Sequence, residues 1–258
     1  MSGFFGFWAF LLAIGLQTSP TTPPAGPIPP EARQMIRVLS ADWSAVPASL
    51  QRYERSSDKA PWQAVGPEIP TVLGKKGLGW GRGLHNPADA LNGDFRKEGD
   101  KRAPAGVFSL GTVFGLASPP SVAPWLKMPY LTLTDSMRCI GANESSLYNQ
   151  IVDSKKVKKD WKDDSDNEYM RLDAIRDEGA YRWGIFVNHN TPHTDRISGS
   201  CIFIHLWKGD GSGTSGCTAM AKEQIEILLR WLDQAKHPVL VQLPQAEYTR
   251  LKQAWELP

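Results

Sequence analysis

The chain has 258 residues, 41% hydrophobic and 22% charged, which is the make-up of a globular protein and not of a disordered one. Its 29 basic and 27 acidic side chains leave a formal charge of +2, too little to argue for a nucleic-acid partner. The basic run Lys155, Lys156, Lys158 and Lys159 is followed at once by Asp160, Asp163 and Asp164 and reads as a solvated surface patch.

In chain order, Phe4 to Leu16 (FFGFWAFLLAIGL) is an apolar run of thirteen. A membrane-spanning helix needs about 20 residues, whereas this length suits the core of a secretory signal. Residues 1–16 are therefore expected to be a signal peptide. An uncleaved segment would instead attach the chain to the membrane, and a hydrophobic arm packed on the domain is the remaining alternative. Residues 17–33 (QTSPTTPPAGPIPP and beyond) form a Pro/Thr-rich linker.

From residue 34 the chain becomes strand-rich. MIRVLSADW, SLQRYER, PWQAV and EIPTVLG are short segments of alternating or branched apolar residues between turn clusters, as in an antiparallel sheet. Gly74 to Asp94 holds six glycines in 21 residues and reads as a loop of functional type, with His85 on its surface. Residues 117–182 have mixed charge and helix-compatible stretches such as NEYMRLDAIRDEG, the pattern of a mixed helical insertion. YRWGIFVNH and CIFIHLW alternate and are expected to pair as a hairpin. Ile225, Leu228, Leu229 and Leu232 lie on one face of a helix expected over 219–235, with Thr218 as its N-cap. HPVLVQLP is a closing strand, and residues 246–258 hold a short terminal helix.

Export would expose the three cysteines to an oxidising compartment, where two can pair and one is left over. Cys139 with Cys201 is the expected disulfide and Cys217 the expected free thiol; three unpaired cysteines are the alternative. The odd cysteine stands out by its position. On a strand over CIFIHLW, Cys201, Phe203, His205 and Trp207 share one face. Gly209, Gly211 and Gly213 then allow a wandering return, and Gly216 precedes Cys217 at the expected start of the helix. A helix N-terminus would lower the thiol pKa, and the N–H groups of Ser215, Gly216 and Cys217 would hold an oxyanion. Cys201 is four strand residues from His205, roughly 13 Å at about 3.3 Å per residue, too far to share a proton. The pattern is that of a Cys217 nucleophile with a His205 base.

Ile204 to Met220, with Thr214, Ser215, Gly216 and Cys217 as a Ser/Thr-x-Gly-Cys box, resembles the signature of the L,D-transpeptidase (YkuD-like) catalytic domain. Arg102 to Phe108 (RAPAGVF) is similar to the family's Thr-Pro-x-Gly-x-Phe segment, and the likeness runs from about Ile36 to Leu243. The resemblance implies a mostly β, sandwich-like domain over 34–245 and an exported, monomeric enzyme of the periplasm or cell envelope that needs no metal or other cofactor. It implies that Cys217 attacks the third residue of a peptidoglycan stem peptide, releases the fourth and passes the acyl group to an amine of a neighbouring stem. His205 would be the base, oriented by the carbonyl of Leu206, and carbapenems would acylate Cys217. An L,D-carboxypeptidase or amidase on the same fold is the alternative, and a non-catalytic wall-binding module is one of another class.

His189, Trp207, Thr214 and Arg182 are candidate substrate contacts. A guanidinium that many family members carry two residues after the cysteine is replaced here by Ala219, leaving Arg82, Arg171 or Arg182 as candidates to bind a carboxylate. His189 and His193 have the i, i+4 spacing of a zinc pair, but the Asn-Thr-Pro between them reads as a turn, and a structural His189 is the simpler reading. With ten tryptophans in the chain, Trp80 and Trp183 read more simply as core or rim than as stacking platforms.

Overall fold

The computed structural model describes residues 1, 26–173, 179–192 and 194–258. The signal or anchor expected at 1–16 and most of the linker lie outside the described residues, as does His193. No described helix is long and apolar enough to cross a membrane.

The fold is mostly β. β1 (Gln34–Ser40), β2 (Pro47–Glu54) and β3 (Gln63–Val72) form an antiparallel meander. The two segments PWQAV and EIPTVLG are one strand, since β3 continues through Gly66 and Pro67 by a register shift opposite Gln51. The Gln51 side chain caps that irregularity, donating to the carbonyls of Val65 and Gly66 at 3.3 and 3.0 Å. Pro67 and Pro70 are tolerated because β3 meets its other neighbour only at Val72, so most of it is an edge.

Inside the glycine-rich stretch, β4 (Leu78–Trp80) pairs in parallel with the start of β5 (Ala103–Gly115). The thirteen-residue β5 also pairs with β6 (Tyr130–Thr132), β10 (Trp183–Val187) and β13 (Val239–Pro244). β11 (Phe203–Leu206) forms the expected antiparallel pair with β10, and β12 (Thr218–Met220) lies parallel to β11. The order β10-β11-β12-β3-β2-β1-β13-β5 closes through the β5–β10 pairing, so one sheet folds back on itself around the main apolar core.

One expectation needs correction. Thr218 is not a helix N-cap: Thr218–Met220 are buried and extended, and the Thr218 hydroxyl donates to Gln242 Oε1 at 2.6 Å. Helix α2 (Lys222–Trp231), which follows the single turn α1 (Pro119–Val122), starts later, although Ile225, Leu228, Leu229 and Leu232 are buried on its inner face as the spacing predicts. Helix α3 (Gln245–Leu251) follows β13 directly.

Of residues 117–182, expected to be a mixed helical insertion, residues 174–178 of the helix-compatible stretch NEYMRLDAIRDEG lie outside the described residues. The described part holds α1, a short 3-10 turn, short strands and turns. β7 (Met137–Cys139), β8 (Ile151–Asp153) and β9 (Glu168–Tyr169) form a separate sheet with its own small core of Ile140, Ala142 and Trp161. Strands of two or three residues are too short for alternation to register in sequence. Cys139 ends β7 and is joined to Cys201 by a disulfide that ties this sheet to the entrance of β11.

Candidate active site

The alternation along β11 sets the site. Ile202 and Ile204 enter the main core, whereas Phe203 turns to a second cluster with Cys217, Tyr181 and Phe114, and His205 meets the Tyr181 ring edge-on at 5.3 Å. β11 and β12 pair Ile204 with Thr218 and His205 with Ala219, which puts Cys217 level with Phe203. Residues two apart on a strand share a face, so Cys217 and His205 are diagonal neighbours on adjacent strands. Both line a cleft of about 650 Å³ with Ser215, Trp207 and Lys75.

The His205 tautomer follows from its contact. Nδ1 lies 2.7 Å from the Leu206 carbonyl oxygen, which can only accept, so Nδ1 carries the proton and Nε2 is a free base. Cys217 is the free cysteine and is 8% exposed. The Phe203 N–H donates to its Sγ at 3.3 Å, and the thiol donates to the Cys201 carbonyl at 3.7 Å. Burial pushes the Cys217 thiol up to about 12, against the pull of the Phe203 N–H, and burial pushes His205 down to about 4. At neutral pH the resting pair is therefore thiol and neutral imidazole. This corrects the expected low thiol pKa: a buried strand end, with no helix dipole, surrounds the sulfur. Such a pair attacks by passing the proton to Nε2 as the sulfur bonds to carbon.

The turn carrying Cys217 is locked locally. Thr214 Oγ1 accepts from the Gly216 N–H at 3.0 Å and donates to the Cys217 carbonyl at 2.6 Å. Its neighbours pin the loop to the end of β3, the Thr214 N–H donating to the Leu73 carbonyl and its own carbonyl accepting from the Lys75 N–H, each at 2.9 Å. Thr214, expected to touch substrate, thus holds the turn while lining the cleft. Gly216, expected to donate to an oxyanion, already donates to Thr214. Its place is conformational, with φ of +147°, where a Cβ would stand 3.1 Å from the Arg102 carbonyl. Of the expected oxyanion donors, the amides of Ser215 and Cys217 remain as candidates.

Other expected residues fall elsewhere. His189 does not face the cleft: it is 1% exposed, its Nδ1 accepts from the Arg82 N–H at 3.2 Å and its Nε2 sits 2.9 Å from the Ser198 carbonyl. Burial, reinforced by the Arg96 charge, pushes it down to about 3, so it is a neutral structural histidine. Asn188 bonds Ser109 of β5, and Asn190 bonds the carbonyls of Asp195 and Gly199 in the following loop. His85 is not a surface residue; it is buried, and its Nδ1 accepts from the Val107 N–H at 3.1 Å. That ring explains Gly106 in RAPAGVF, which has φ of +135° and where a Cβ would overlap His85.

Arg182 is exposed and away from the cleft, Arg171 pairs with Asp135 and Asp173, and Arg82 pairs with Asp195 at 2.7 Å. Among the described residues the arginine that lines the cleft is Arg96, which sequence reasoning missed; in the polar run DFRKEGDKR nothing marks it as buried. Trp80 is core and Trp183 packs on Trp125, leaving Trp207 as the tryptophan of the cleft. Glu168 of β9 also lines the cleft, with Asp166 and Asn167 from the 3-10 turn that leads into it.

The model of the YkuD L,D-transpeptidase catalytic domain matches residues 67–241. The chain belongs to the YkuD family. The match covers most of the sheet, the Cys217 turn and the extra sheet, and begins within β3, so that β1 and β2 lie ahead of it. Comparisons with curated proteins and with solved structures give no match. YkuD domains are cysteine-dependent L,D-transpeptidase domains that act on peptidoglycan stem peptides, which fits a cleft whose one free thiol stands beside a tautomer-fixed histidine.

Proposed function

We propose that the chain is an exported peptidoglycan L,D-transpeptidase that cross-links stem peptides through a thioester on Cys217. The observation that carries this reading is the contact of His205 Nδ1 with the Leu206 carbonyl at 2.7 Å, in the same cleft as the buried thiol, because it leaves Nε2 as the base. His205 takes the Cys217 proton as Sγ adds to the stem-peptide carbonyl. The tetrahedral oxyanion collapses, the leaving amine takes the proton from His205, and a thioester remains. An acceptor amine then attacks the thioester, gives its proton to His205, and the thiol is restored when that proton returns to sulfur. Residues 1–16 would direct the chain to the cell envelope as a signal or as an anchor.

The test is mass spectrometry of disaccharide-tetrapeptide muropeptides incubated with the wild-type chain and with Cys217→Ala. Cross-linked dimers from the wild type alone are expected. Trimmed monomers without dimers would move the reading to a carboxypeptidase, and equal products from both proteins would remove Cys217 from the chemistry.

A further inference from the structure

The cleft contains a cation to which the steps above give no task. Arg96 is 3% exposed, and its Nε and Nη1 are buried with no hydrogen-bond partner among the described residues. Its ion-pair partner is Asp100, whose Oδ1 is 4.0 Å from Nη2, the far limit of such a contact. Buried guanidinium groups are ordinarily held by close carboxylates and filled hydrogen bonds, since desolvation without them costs several kcal/mol. Backbone on either side makes room for this one. A Cβ at Gly199 would overlap Nη1, and a Cβ at Gly216 would stand 3.5 Å from Nη2, so the guanidinium packs against the residue that precedes the thiol.

We propose that Arg96 is a positioning residue that stabilises the Cys217 sulfur as thiolate while His205 holds its proton. The inference rests on the reading of Cys217 as nucleophile and His205 as base. The resting pair is neutral, so proton transfer from Sγ to Nε2 creates a negative sulfur inside a buried pocket. The Phe203 N–H supplies one hydrogen bond to it. The under-neutralised guanidinium supplies the charge, and its field favours the thiolate. Among the described residues, Glu168 of the extra sheet opposes the thiolate, Glu98 and Asp100 draw on Arg96, and Asp166, Lys75 and Lys208 also line the cleft. Glu98 is itself engaged, accepting from Tyr148 Oη and Ser200 Oγ at 2.8 Å each.

The experiment is the rate of alkylation by iodoacetamide, a neutral probe, followed by intact mass on the full chain between pH 6 and 11, with Cys217→Ala as blank. Arg96→Met is expected to alkylate about tenfold more slowly at neutral pH, its profile displaced upward by about one pH unit. Arg96→Lys, which keeps the charge, recovers most of the rate. Asp100→Asn, which frees the guanidinium of its counter-charge, displaces the profile the other way. An Arg96→Met protein with native near-UV circular dichroism and an unmoved profile would overturn the proposal. If that variant does not fold, an unmoved profile in Asp100→Asn overturns it instead. Because no peptide is involved, a failure here is distinct from a failure of the cross-linking reading, which would show as wild-type alkylation without muropeptide products.

Discussion

The hydroxyl of Thr214 bridges the turn that bears the candidate nucleophile, accepting from the Gly216 N–H and donating to the Cys217 carbonyl at 2.6 Å. One side chain thereby fixes both the peptide before the thiol and the peptide after it.

Thr214→Val keeps the shape and removes both bonds. It leaves a carbonyl and an N–H unpaired, so a loss of about 1–3 kcal/mol is expected in urea unfolding. The rate of Cys217 alkylation should change as well, because the sulfur is no longer held on its strand. Thr214→Ser restores both properties; equal stability of the valine variant and the wild type would contradict the bridging role.

The depressed histidines and the elevated thiol fix how stability varies with pH. His205 and His189 titrate near 4 and 3 in the folded chain and near 6.5 when unfolded, so between those values the unfolded state binds more protons. Stability is therefore present in full above about pH 6.5 and falls as pH is lowered toward 4. On the alkaline side the thiol ionises near 9 when unfolded and near 12 when folded, so stability also falls as pH rises above 9. Chemical denaturation at a series of pH values should show both limbs, with Cys217→Ser flattening the alkaline one and His205→Gln flattening part of the acid one.

Non-reducing peptide mapping is expected to recover Cys139 linked to Cys201, with Cys217 alkylated. The cross-link spans 62 residues, and the double variant Cys139→Ser/Cys201→Ser should lose about 2–4 kcal/mol. It should also perturb Cys217 reactivity, because the Cys201 carbonyl is the acceptor for the thiol. A Cys139–Cys217 peptide would refute the pairing.

What could be read from the sequence divides along physical lines. The inner face of α2 was legible because four leucines and isoleucines at helical spacing have one way to be buried. β11 was legible because its alternation sends Ile204 to one core and Phe203 to the other. β12 was not: three buried residues carry no period, and their extended form comes from pairing with β11 and β3. That error carried into the chemistry, since a helix start would lower the thiol pKa where the observed strand end raises it. His85 and Arg96 were read as surface or overlooked because each sits in a polar, glycine-rich stretch. Their burial is decided by Gly106 and by Gly199 and Gly216, which pack over them from elsewhere in the chain.

β1 is hydrogen-bonded along its length to β2 on one side and to β13 on the other, and the family match begins only within β3. A protein trimmed to the matched residues would lose the two strands at the centre of its own sheet. It would expose the paired edge of β13 and most of β3 as open rows of N–H and C=O groups, a template for neighbouring copies to add to. The smallest piece worth expressing therefore starts ahead of Gln34, and the limits of the recognisable domain are not the limits of the folding unit.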